Sequence, residues 1–193
     1  MKSYKCLKFD RYVSENYTLL PVREQDIMLI KDWRNSQLDV LRQKYILTEE
    51  MQRGYFETVV WPSFELEQPQ QLLFSFLKQD VCIGYGGIVH ISWEDRRGEV
   101  SFLLNSERVS ASNVYHQDFL SFLNLIKQVA YEGLSFNRLF TETFDIRPFH
   151  ISILEEAGFL CEGRMKQHVY LNDAFVDSVL HGHIRGYDNS VDK

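Results

Sequence analysis

The sequence is poor in cysteine and has no apolar run long enough to cross a membrane. Its three cysteines, Cys6, Cys82 and Cys161, are odd in number and widely spaced, with no CxxC pair. That usage excludes a disulfide scaffold and a structural zinc site, and it predicts a reduced, cytoplasmic compartment. No stretch approaches the ~18–20 apolar residues of a membrane span. The N-terminal MKSYKCLKFDRY has no apolar core, so a secretory signal is not expected either.

Positive charge is also scarce. Of 193 residues, 21 are Lys or Arg and 27 are Asp or Glu, which gives a formal net charge of −6. Nucleic acids and anionic membranes select for dense Lys and Arg surfaces, so neither is expected as a partner. The 45% of hydrophobic residues is typical of a globular chain and excludes whole-chain disorder. The length predicts one domain over 1–193, with a core at about 17–184 and a polar tail at 185–193, and leaves a homodimer open.

The first part of the chain predicts a strand and two helices. The strand covers 17–20, and the first helix is expected to bury one face, formed by Ile27, Ile30 and Trp33. The second helix begins at Thr48, a good N-cap, and should end near Trp61, because the residue before a proline disfavours the helical region. Its apolar stripe is expected to consist of Met51, Tyr55, Phe56 and Val59.

The remainder alternates strand and helix signals. Gly84, Gly86 and Gly87 lie inside one predicted strand, where glycines indicate a bulge or the close approach of another backbone or a ligand. The predicted strands are 72–77, 81–91, 99–104, 138–144, 165–171 and 175–184, and the predicted helices are 112–133 and 148–157. This order indicates an α+β chain built around one sheet.

Four segments resemble the GNAT superfamily of CoA-dependent N-acyltransferases, in its ribosomal-protein and nucleotide-sugar acetyltransferase branch. They are DWRNS (32–36), IGYGGIVHISWEDRRGEVSFLL (83–104), AYEGLSFNRLFTETF (130–144), and ILEEAGFLCEGRM with YLNDAFVDSVLHGHI (153–184). The resemblance spans roughly Tyr17–Ile184. It implies the GNAT fold, a twisted, mixed but mostly antiparallel sheet flanked by helices, with a V-shaped splay between two parallel strands. It also implies acyl-CoA as co-substrate, no metal, and direct attack of an amine on the thioester.

The expected acyl-CoA site departs from the family pattern. The family places a glycine-rich pyrophosphate loop before its long helix, but here the segment reads SERVSASNVYHQDF. A turn at Val109–Asn113, beside Arg108, could still offer helix-start amides to phosphate. The residues predicted there are Ser110, Ala111, Ser112 and Asn113. The backbone of Phe102, Leu103 and Leu104 is expected to contact the pantetheine arm and the oxyanion.

Two further positions differ from many family members. Leu154 stands where many have the tyrosine that protonates the leaving thiolate, which leaves that role unassigned. Arg147 stands where many have an asparagine. Its guanidinium could clamp a phosphate of CoA or of a nucleotide, or it could pair with Asp145 or Glu142.

Two residues are candidates for the general base. Glu99 opens a strand on which relatives often carry a catalytic carboxylate, although it could instead pair with Arg96 or Arg97. His150 lies in the first turn of a helix beside the expected splay, and histidine titrates in a suitable range. The alternative for His150 is a structural role in capping or packing that turn.

For the acceptor, the sequence favours the amino group of a nucleotide-linked amino sugar. The residues expected to contact it are Arg34, Asn35, Lys44, Trp93 and Tyr170, because a diphosphate needs cations and a base needs an aromatic face. Arg34 could instead pair with Asp32 or Asp39, and Trp93 could merely cover the core. The alternative functions are N-terminal or lysine acetylation of a protein and a catalytically silent binding module.

Overall fold

The computed structural model describes residues 3–187, and one eight-stranded sheet forms its centre. The strands are β1 (Tyr12–Ser14), β2 (Tyr17–Pro21), β3 (Leu72–Lys78), β4 (Val81–Ser92), β5 (Arg97–Leu104), β6 (Arg138–Phe144), β7 (Leu160–Leu171) and β8 (Ala174–Ile184). Their order across the sheet is β1-β2-β3-β4-β5-β6-β8-β7. Neighbouring strands run antiparallel except for β5 and β6, which are parallel. The predicted α+β class and strand series are confirmed, and β1 is an addition.

Six α-helical segments of the described chain flank this sheet. They are α1 (Ile27–Asn35), α2 (Glu49–Tyr55), α3 (Trp61–Ser63), α4 (Ser106–Val109), α5 (Ser112–Gln128) and α6 (Pro148–Glu156). Helix α1 buries the predicted face of Ile27, Ile30 and Trp33. Helix α5 continues into a π-helical turn at Val129–Gly133, which matches the predicted long helix. Gly158 takes a left-handed φ of 88° after α6, as a helix-ending glycine should.

The second predicted helix is correct in its start and wrong in its end and its buried face. The hydroxyl of Thr48 accepts a hydrogen bond from the amide of Met51 at 3.2 Å, so the N-cap is confirmed. Of the predicted stripe only Phe56 is buried, whereas the other three residues are exposed. A π-helical turn at Phe56–Val60 links α2 to α3, and the chain stays helical past Pro62. The wider turn satisfies the amide of Trp61 through Phe56, and proline begins the next turn without needing a donor.

The two parallel strands at the centre of the sheet separate shortly after they meet. Paired positions between β5 and β6 are Arg97 with Arg138, Gly98 with Leu139, and Glu99 with Phe140. Beyond Glu99, β5 pairs with β4 up to Leu104, while β6 pairs with β8. Within the described chain the facing edges of β5 and β6 are therefore unpaired after this point. This is the predicted V-shaped splay.

Close packing around the splay depends on Gly86. A Cβ on Gly86 would lie 2.2 Å from the carbonyl oxygen of Ser101 and 2.7 Å from the ring of Phe122. Both distances are shorter than any tolerable contact, so the strand pair needs a glycine here. The sequence expectation of close backbone approach is correct. It lets Phe122 of α5 pack directly onto Phe102 of β5, with ring centres 4.6 Å apart.

The buried core extends to residues before the predicted core at 17–184. The rings of Tyr4 and Phe64 stack 3.9 Å apart, and the Tyr4 hydroxyl accepts the amide hydrogen of Leu73 at 2.8 Å. Tyr12 of β1 is also buried. Of the predicted tail, residues 185–187 are exposed and the rest lies outside the described residues. No helix between residues 3 and 187 has the length and apolar character that a membrane span requires.

Candidate active site at the splay

A cavity of about 560 Å³ lies where β5 and β6 separate. Its walls come from β5, β6, the N-terminal half of α5, the start of α6, and the segment that joins α1 to α2. Strand alternation divides β5 between two faces. Phe102 stacks on Phe119 of α5 at 4.6 Å, while Glu99 and Ser101 face the α1 side. The cavity thus joins the two faces of the sheet through the splay.

Glu99 lies at the point where the strands part and is only 7% exposed. Its carboxylate accepts a hydrogen bond of 2.8 Å from Nη2 of Arg42 and lies 2.7 Å from Nδ1 of His90. These are not the partners that the sequence suggested, because Arg96 and Arg97 are exposed and Arg97 pairs with Asp95. The carboxylate is thus held at the cavity wall by a loop residue and by a neighbouring strand.

A β-bulge brings His90 to Glu99. Val89 pairs with Glu99 and Ser92 with Arg97, so two residues of β4 oppose the single residue Gly98 of β5. Regular alternation would direct His90 to the other face of the sheet. The extra residue and a left-handed φ of 48° turn it back toward Glu99. A Cβ on Gly98 would lie 2.3 Å from Ile88, so the bulge also needs a glycine opposite.

Arg42 joins two carboxylates across the splay. In addition to Glu99 of β5 it contacts Glu142 of β6, with 3.1 Å between Nη2 and Oε2. Nε2 of His168 on β7 lies 3.6 Å from the other oxygen of Glu142. We name Glu99, Arg42, His90 and Glu142 the Glu99 cluster. Its cation comes from the irregular segment between α1 and α2, whereas its carboxylates are fixed on strands.

Tyr115, His150 and Arg147 form a second polar group on the α5 side of the cavity. Arg147 donates a hydrogen bond of 2.8 Å to the hydroxyl of Tyr115, which lies 2.7 Å from Nδ1 of His150. The His150 ring also stacks on Phe119 at 4.2 Å. Burial lowers the pKa of His150 well below its usual range, and the charge of Arg147 adds to this. Burial raises the pKa of Tyr115, although Arg147 opposes the shift.

These contacts exclude one alternative for Arg147, the pairing with Asp145 or Glu142, whereas its contact with a phosphate stays a prediction. Arg147 binds Tyr115 and leaves Asp145 to Arg164 and Glu142 to Arg42. Because burial holds the pKa of His150 well below its usual range, the ring is neutral near pH 7, and its Nδ1 shares a hydrogen bond with the Tyr115 hydroxyl. His150 is therefore both packed and hydrogen-bonded.

The residues predicted to hold acyl-CoA line the splay or precede α5. Phe102, Leu103 and Leu104 form part of the cavity wall, and the Leu104 carbonyl accepts a hydrogen bond of 2.8 Å from Gln37. Ser110, Ala111, Ser112 and Asn113 are exposed at the start of α5. Ala111 occupies the N-cap position and no side chain caps the helix. The first amides of α5 therefore remain available for an anion.

Arg108 is committed elsewhere. Its guanidinium donates to both oxygens of Asp118, at 2.6 and 3.1 Å. Asp118 is completely buried and also accepts a hydrogen bond of 2.8 Å from Tyr17, with Lys78 at 3.6 Å. We name these four residues the Asp118 cluster. Because its charge is paired inside the fold, Arg108 is poorly placed to bind phosphate.

On the α1 side a second cavity, of about 370 Å³, adjoins the first. Arg34 lines both and donates hydrogen bonds of 2.6 Å to the Tyr85 hydroxyl and 2.8 Å to Gln43, rather than to Asp32 or Asp39. Apolar and phenolic side chains complete the smaller cavity, among them Tyr45, Leu47, Met51, Tyr55 and Tyr85. The exposure of Met51 and Tyr55, unexpected for a buried stripe, is thus exposure to a cavity.

The other predicted acceptor residues divide into three kinds. Lys44 is exposed and lines the larger cavity. Asn35 contacts Leu47 through both its oxygen and its nitrogen and shapes the connecting segment from behind. Neither of these two cavities includes Trp93 or Tyr170 in its wall, and their contact with the acceptor stays a prediction.

The rings of Trp93 and Tyr170 each pack against another aromatic side chain. The ring of Trp93 packs edge-on against Phe136 at 5.3 Å, and its indole donates a hydrogen bond to the carbonyl of Pro69. This matches the alternative in which Trp93 covers the core. Tyr170 lies near the tip of the β7–β8 hairpin, where its ring packs against Phe175 at 5.0 Å.

Sequence reasoning missed three residues of the site, Arg42, His90 and Tyr115. Arg42 is in an irregular segment whose path no periodicity predicts. His90 needs a bulge to face the site. Tyr115 could have been found from the sequence, because it lies four residues before Phe119 and therefore on the same buried side of α5. Unlike Phe119, it carries a hydroxyl group that can take part in proton transfer.

Comparison with known proteins agrees with this architecture. The sequence profile described as an acetyltransferase (GNAT) domain matches residues 19–180. The chain is similar in structure to spermidine N-acetyltransferase from Vibrio cholerae in complex with CoA and spermine. The TM-score is 0.75 and the identity 14%, over 89% of this chain and 96% of that one. No curated protein sequence matches the chain.

A second similar structure is RimL, a ribosomal L7/L12 alpha-N-protein acetyltransferase in complex with coenzyme A. Here the TM-score is 0.73 and the identity 16%, over 91% of this chain and 98% of the other. At such identities the two likenesses establish a shared fold, and the acceptor must be inferred from the cavity itself.

Proposed function

The chain belongs to the GNAT acetyltransferase family and is an acyl-CoA-dependent N-acyltransferase, and we propose that its acceptor is a nucleotide-linked amino sugar. The acyl group moved is acetyl or slightly longer. The observation that carries the proposal is the charge of the cavity walls. Four cationic and two carboxylate side chains line them, namely Arg34, Arg42, Lys44, Arg147, Glu99 and Glu142.

This excess of positive charge contrasts with a protein of net charge −6. A concave surface of one sign focuses its field and concentrates ligands of the opposite sign. Acyl-CoA accounts for one anion. The position of Arg34 and Lys44 on the α1 side supports a second anion there, such as the diphosphate of the acceptor. The phenol rings of the adjoining cavity offer flat surfaces for a base or sugar.

In the proposed reaction Glu99 is the general base. An amine arrives largely as ammonium near neutral pH, so it must lose a proton before it can attack the thioester. Glu99 is at the cavity wall where the strands part, on the acceptor face of β5. Its partner Arg42 comes from an irregular segment and can yield its place to the incoming amine. Burial holds the pKa of His150 well below its usual range, which makes His150 a weaker base than an ordinary histidine.

Tyr115 is our candidate for the proton donor to the departing thiolate. Its hydroxyl lies in the cavity on the α5 side, in a wall that also contains Phe102 and Phe119. Because burial raises its pKa, Tyr115 keeps its proton until a stronger base than water appears. Arg147, which donates to the same hydroxyl, would stabilise the phenolate left behind. Leu154 does not need to be a tyrosine if Tyr115 has this role.

A peptide amine is the competing acceptor, and one observation favours it. The guanidinium of Arg42 already rests between Glu99 and Glu142, so this pair of carboxylates accepts a cation. A lysine side chain or a peptide N-terminus could take that position. The amine of an amino sugar could do so as well, and only its phosphates would use Arg34 and Lys44.

The test is a screen of CoA release from acetyl-CoA against three acceptor classes, with purified protein. The acceptors are nucleotide-linked amino sugars, spermidine, and peptides that offer a free N-terminus or a lysine. We expect turnover with an amino-sugar nucleotide and little with the others. Turnover with peptide or spermidine alone would overturn the acceptor class, while the acyltransferase assignment would stand.

A matched pair of variants then tests the charge argument. Lys44→Ala removes a cation from the cavity wall, and Arg53→Ala removes one from the exposed side of α2. We expect Lys44→Ala to raise the KM for the nucleotide sugar severalfold and Arg53→Ala to leave it unchanged. Equal KM values in both variants would contradict the role of the cavity charge.

A further inference from the structure

We propose that His90 is a positioning residue of the base, which orients Glu99 and passes the proton taken from the acceptor amine out to solvent. The inference rests on the proposed function in that it takes Glu99 as the base. It does not depend on which amine is acetylated. His90 itself is not part of the wall of either cavity.

The first support is the structural cost of placing His90 where it is. His90 has a left-handed φ of 48°, a conformation that a residue other than glycine adopts only at a cost in free energy. The bulge also requires Gly98 on the facing strand. A simple solvated turn would need neither feature. Both serve one result, which is the 2.7 Å contact between Nδ1 of His90 and Oε2 of Glu99.

The second support is the position of the two residues relative to solvent. The carboxylate of Glu99 is nearly buried and borders the cavity, whereas the side chain of His90 is 66% exposed. The pair therefore leads from the reacting amine, through the carboxylate, to the outside of the sheet. A second exit would have to pass Arg42, which can only donate hydrogen bonds and cannot accept a proton.

The charged and titratable groups around this route come from four elements. Arg42 of the α1–α2 segment and His90 of β4 lie on Glu99 directly. Glu142 of β6 reaches it through Arg42, and His168 of β7 faces Glu142 at 3.6 Å. Among the described residues, His90 is the only hydrogen-bond partner of the Glu99 carboxylate that can accept a proton.

The proton balance of the step is complete. The ammonium loses one proton to Oε1 or Oε2 of Glu99, which leaves a neutral amine and a carboxylic acid. Glu99 then gives a proton to Nδ1 of His90, which regenerates the carboxylate and forms an imidazolium. The imidazolium releases the proton on Nε2 to water or buffer, which leaves a neutral ring with its proton on Nδ1. This ring exchanges its tautomer through solvent, to which 66% of the side chain is exposed, before the next turnover. No oxidant, metal or further reactant is needed.

The test uses chemical rescue of His90→Gly, assayed with whichever amine of the acceptor panel the wild-type chain acetylates. Glycine suits the left-handed backbone, so this variant should fold at least as well as wild type. We expect kcat/KM to fall at least ~10-fold, below the ~10²-fold worth of a general base itself. Added imidazole should restore the rate in proportion to its concentration, since the vacated position is exposed. The substitution should leave the KM for acetyl-CoA unchanged.

A pH profile of His90→Asn gives the second readout. Asparagine tolerates a left-handed φ but has no basic nitrogen. Because an imidazolium cannot accept a further proton, a histidine relay contributes at high pH and is lost at low pH. The ratio of kcat/KM for wild type to that for His90→Asn should therefore shrink toward one as the pH is lowered. A merely structural contact would give a ratio independent of pH.

The control is His116→Ala. His116 forms a pair with Glu156 at the same distance of 2.7 Å, on helices α5 and α6. We expect no pH-dependent loss and no imidazole response from it. Full activity of His90→Gly, or a loss that neither imidazole nor pH modifies, would overturn the relay. If the wild-type chain acetylates a peptide rather than an amino sugar, the proposed acceptor is wrong. The His90 variants are then assayed with that peptide.

Discussion

Asp118 and Glu99 are two of the carboxylates that are nearly or fully buried and paired with arginine, and they differ in what surrounds them. In the Asp118 cluster the partners come from β2, β3 and α4, and every contact lies inside the fold. In the Glu99 cluster the carboxylate borders a cavity, its arginine comes from an irregular segment, and its histidine comes from a strained bulge. Burial and charge pairing are thus shared by both. Glu99, which we assign to catalysis, differs from Asp118 because it borders the cavity and because its partners can move.

The largest effect we expect is on the closed cluster. Asp118→Asn would leave the guanidinium of Arg108 without its bidentate partner, and breaking a buried ion pair costs about 3–5 kcal/mol. The free energy of unfolding, measured with urea, should fall by that amount. Acetyl transfer per folded molecule should be nearly unchanged.

A loss below about 1 kcal/mol, the usual worth of a surface pair, would erase the contrast between the two clusters. Leu29→Ala, on the exposed side of α1, provides the control for a substitution without buried partners.

The second largest effect should be a loss of activity without a loss of stability, the opposite of the effect expected for Asp118→Asn. Glu99→Gln removes the proposed base and keeps the shape of the side chain, so kcat/KM should fall by ~10²-fold or more. The melting temperature should change little, because Arg42 is exposed and its ion pair with Glu99 can be replaced by water. Steady-state kinetics and thermal unfolding of the same preparation check both halves.

An effect on kcat/KM below threefold would return the base role to His150, to water or to simple proximity. Glu142→Gln separates the two carboxylates that Arg42 joins. We expect it to raise the acceptor KM and to retain most of kcat, since Glu142 has no contact with His90.

The third comparison sets a cavity residue against a core residue that the sequence could not tell apart. Arg34→Ala should raise the KM for the nucleotide sugar about 10-fold, as expected for the loss of a charged hydrogen bond. It should leave the KM for acyl-CoA nearly unchanged. Trp93→Ala should instead lower the free energy of unfolding by about 2 kcal/mol, because Trp93 is partly buried against Phe136.

Kinetics with both substrates varied, together with urea unfolding of the two variants, would decide this comparison. A raised acceptor KM in Trp93→Ala at full stability would show that the indole reaches the acceptor after all. An unchanged acceptor KM in Arg34→Ala would remove the cation on which the sugar assignment depends most.

Local patterns in the sequence were sufficient to predict most of the fold. Strands, the long helix and the caps at Thr48 and Gly158 follow from periodicity and from hydrogen-bonding chemistry within a few residues. The stripe on the second helix failed because Met51 and Tyr55 are apolar on account of a cavity rather than a core. Periodicity cannot distinguish these two environments.

The site was only partly predictable, for a related reason. Glu99 and Phe102 lie on a strand and Arg34 on a helix, where periodicity assigns each side chain to a face, and all three line the cavity. Arg42 and His90 reach it through an irregular segment and a bulge. Their side-chain directions are set by tertiary contacts, such as the clash that excludes a Cβ at Gly98.

The smallest effect should come from the phenol on the α5 side of the cavity. Tyr115→Phe deletes one hydroxyl that binds Arg147 and His150. If this hydroxyl protonates the thiolate, its loss slows turnover, but an aliphatic thiol with a pKa of about 8.5 is already a fair leaving group. We therefore expect less than a 10-fold decrease in kcat. The decrease should vanish above about pH 9, where the thiolate is stable without a proton.

The control is Tyr17→Phe, which deletes the phenol hydroxyl of the Asp118 cluster that donates to Asp118 at 2.8 Å. It should lower the free energy of unfolding and leave the pH dependence of kcat as it is in the wild type. A loss in Tyr115→Phe that is the same at every pH would mean that the hydroxyl only positions His150. In that case the polar group on the α5 side would resemble the Asp118 cluster in its role, and Glu99 would remain the one proton-transferring side chain at the splay.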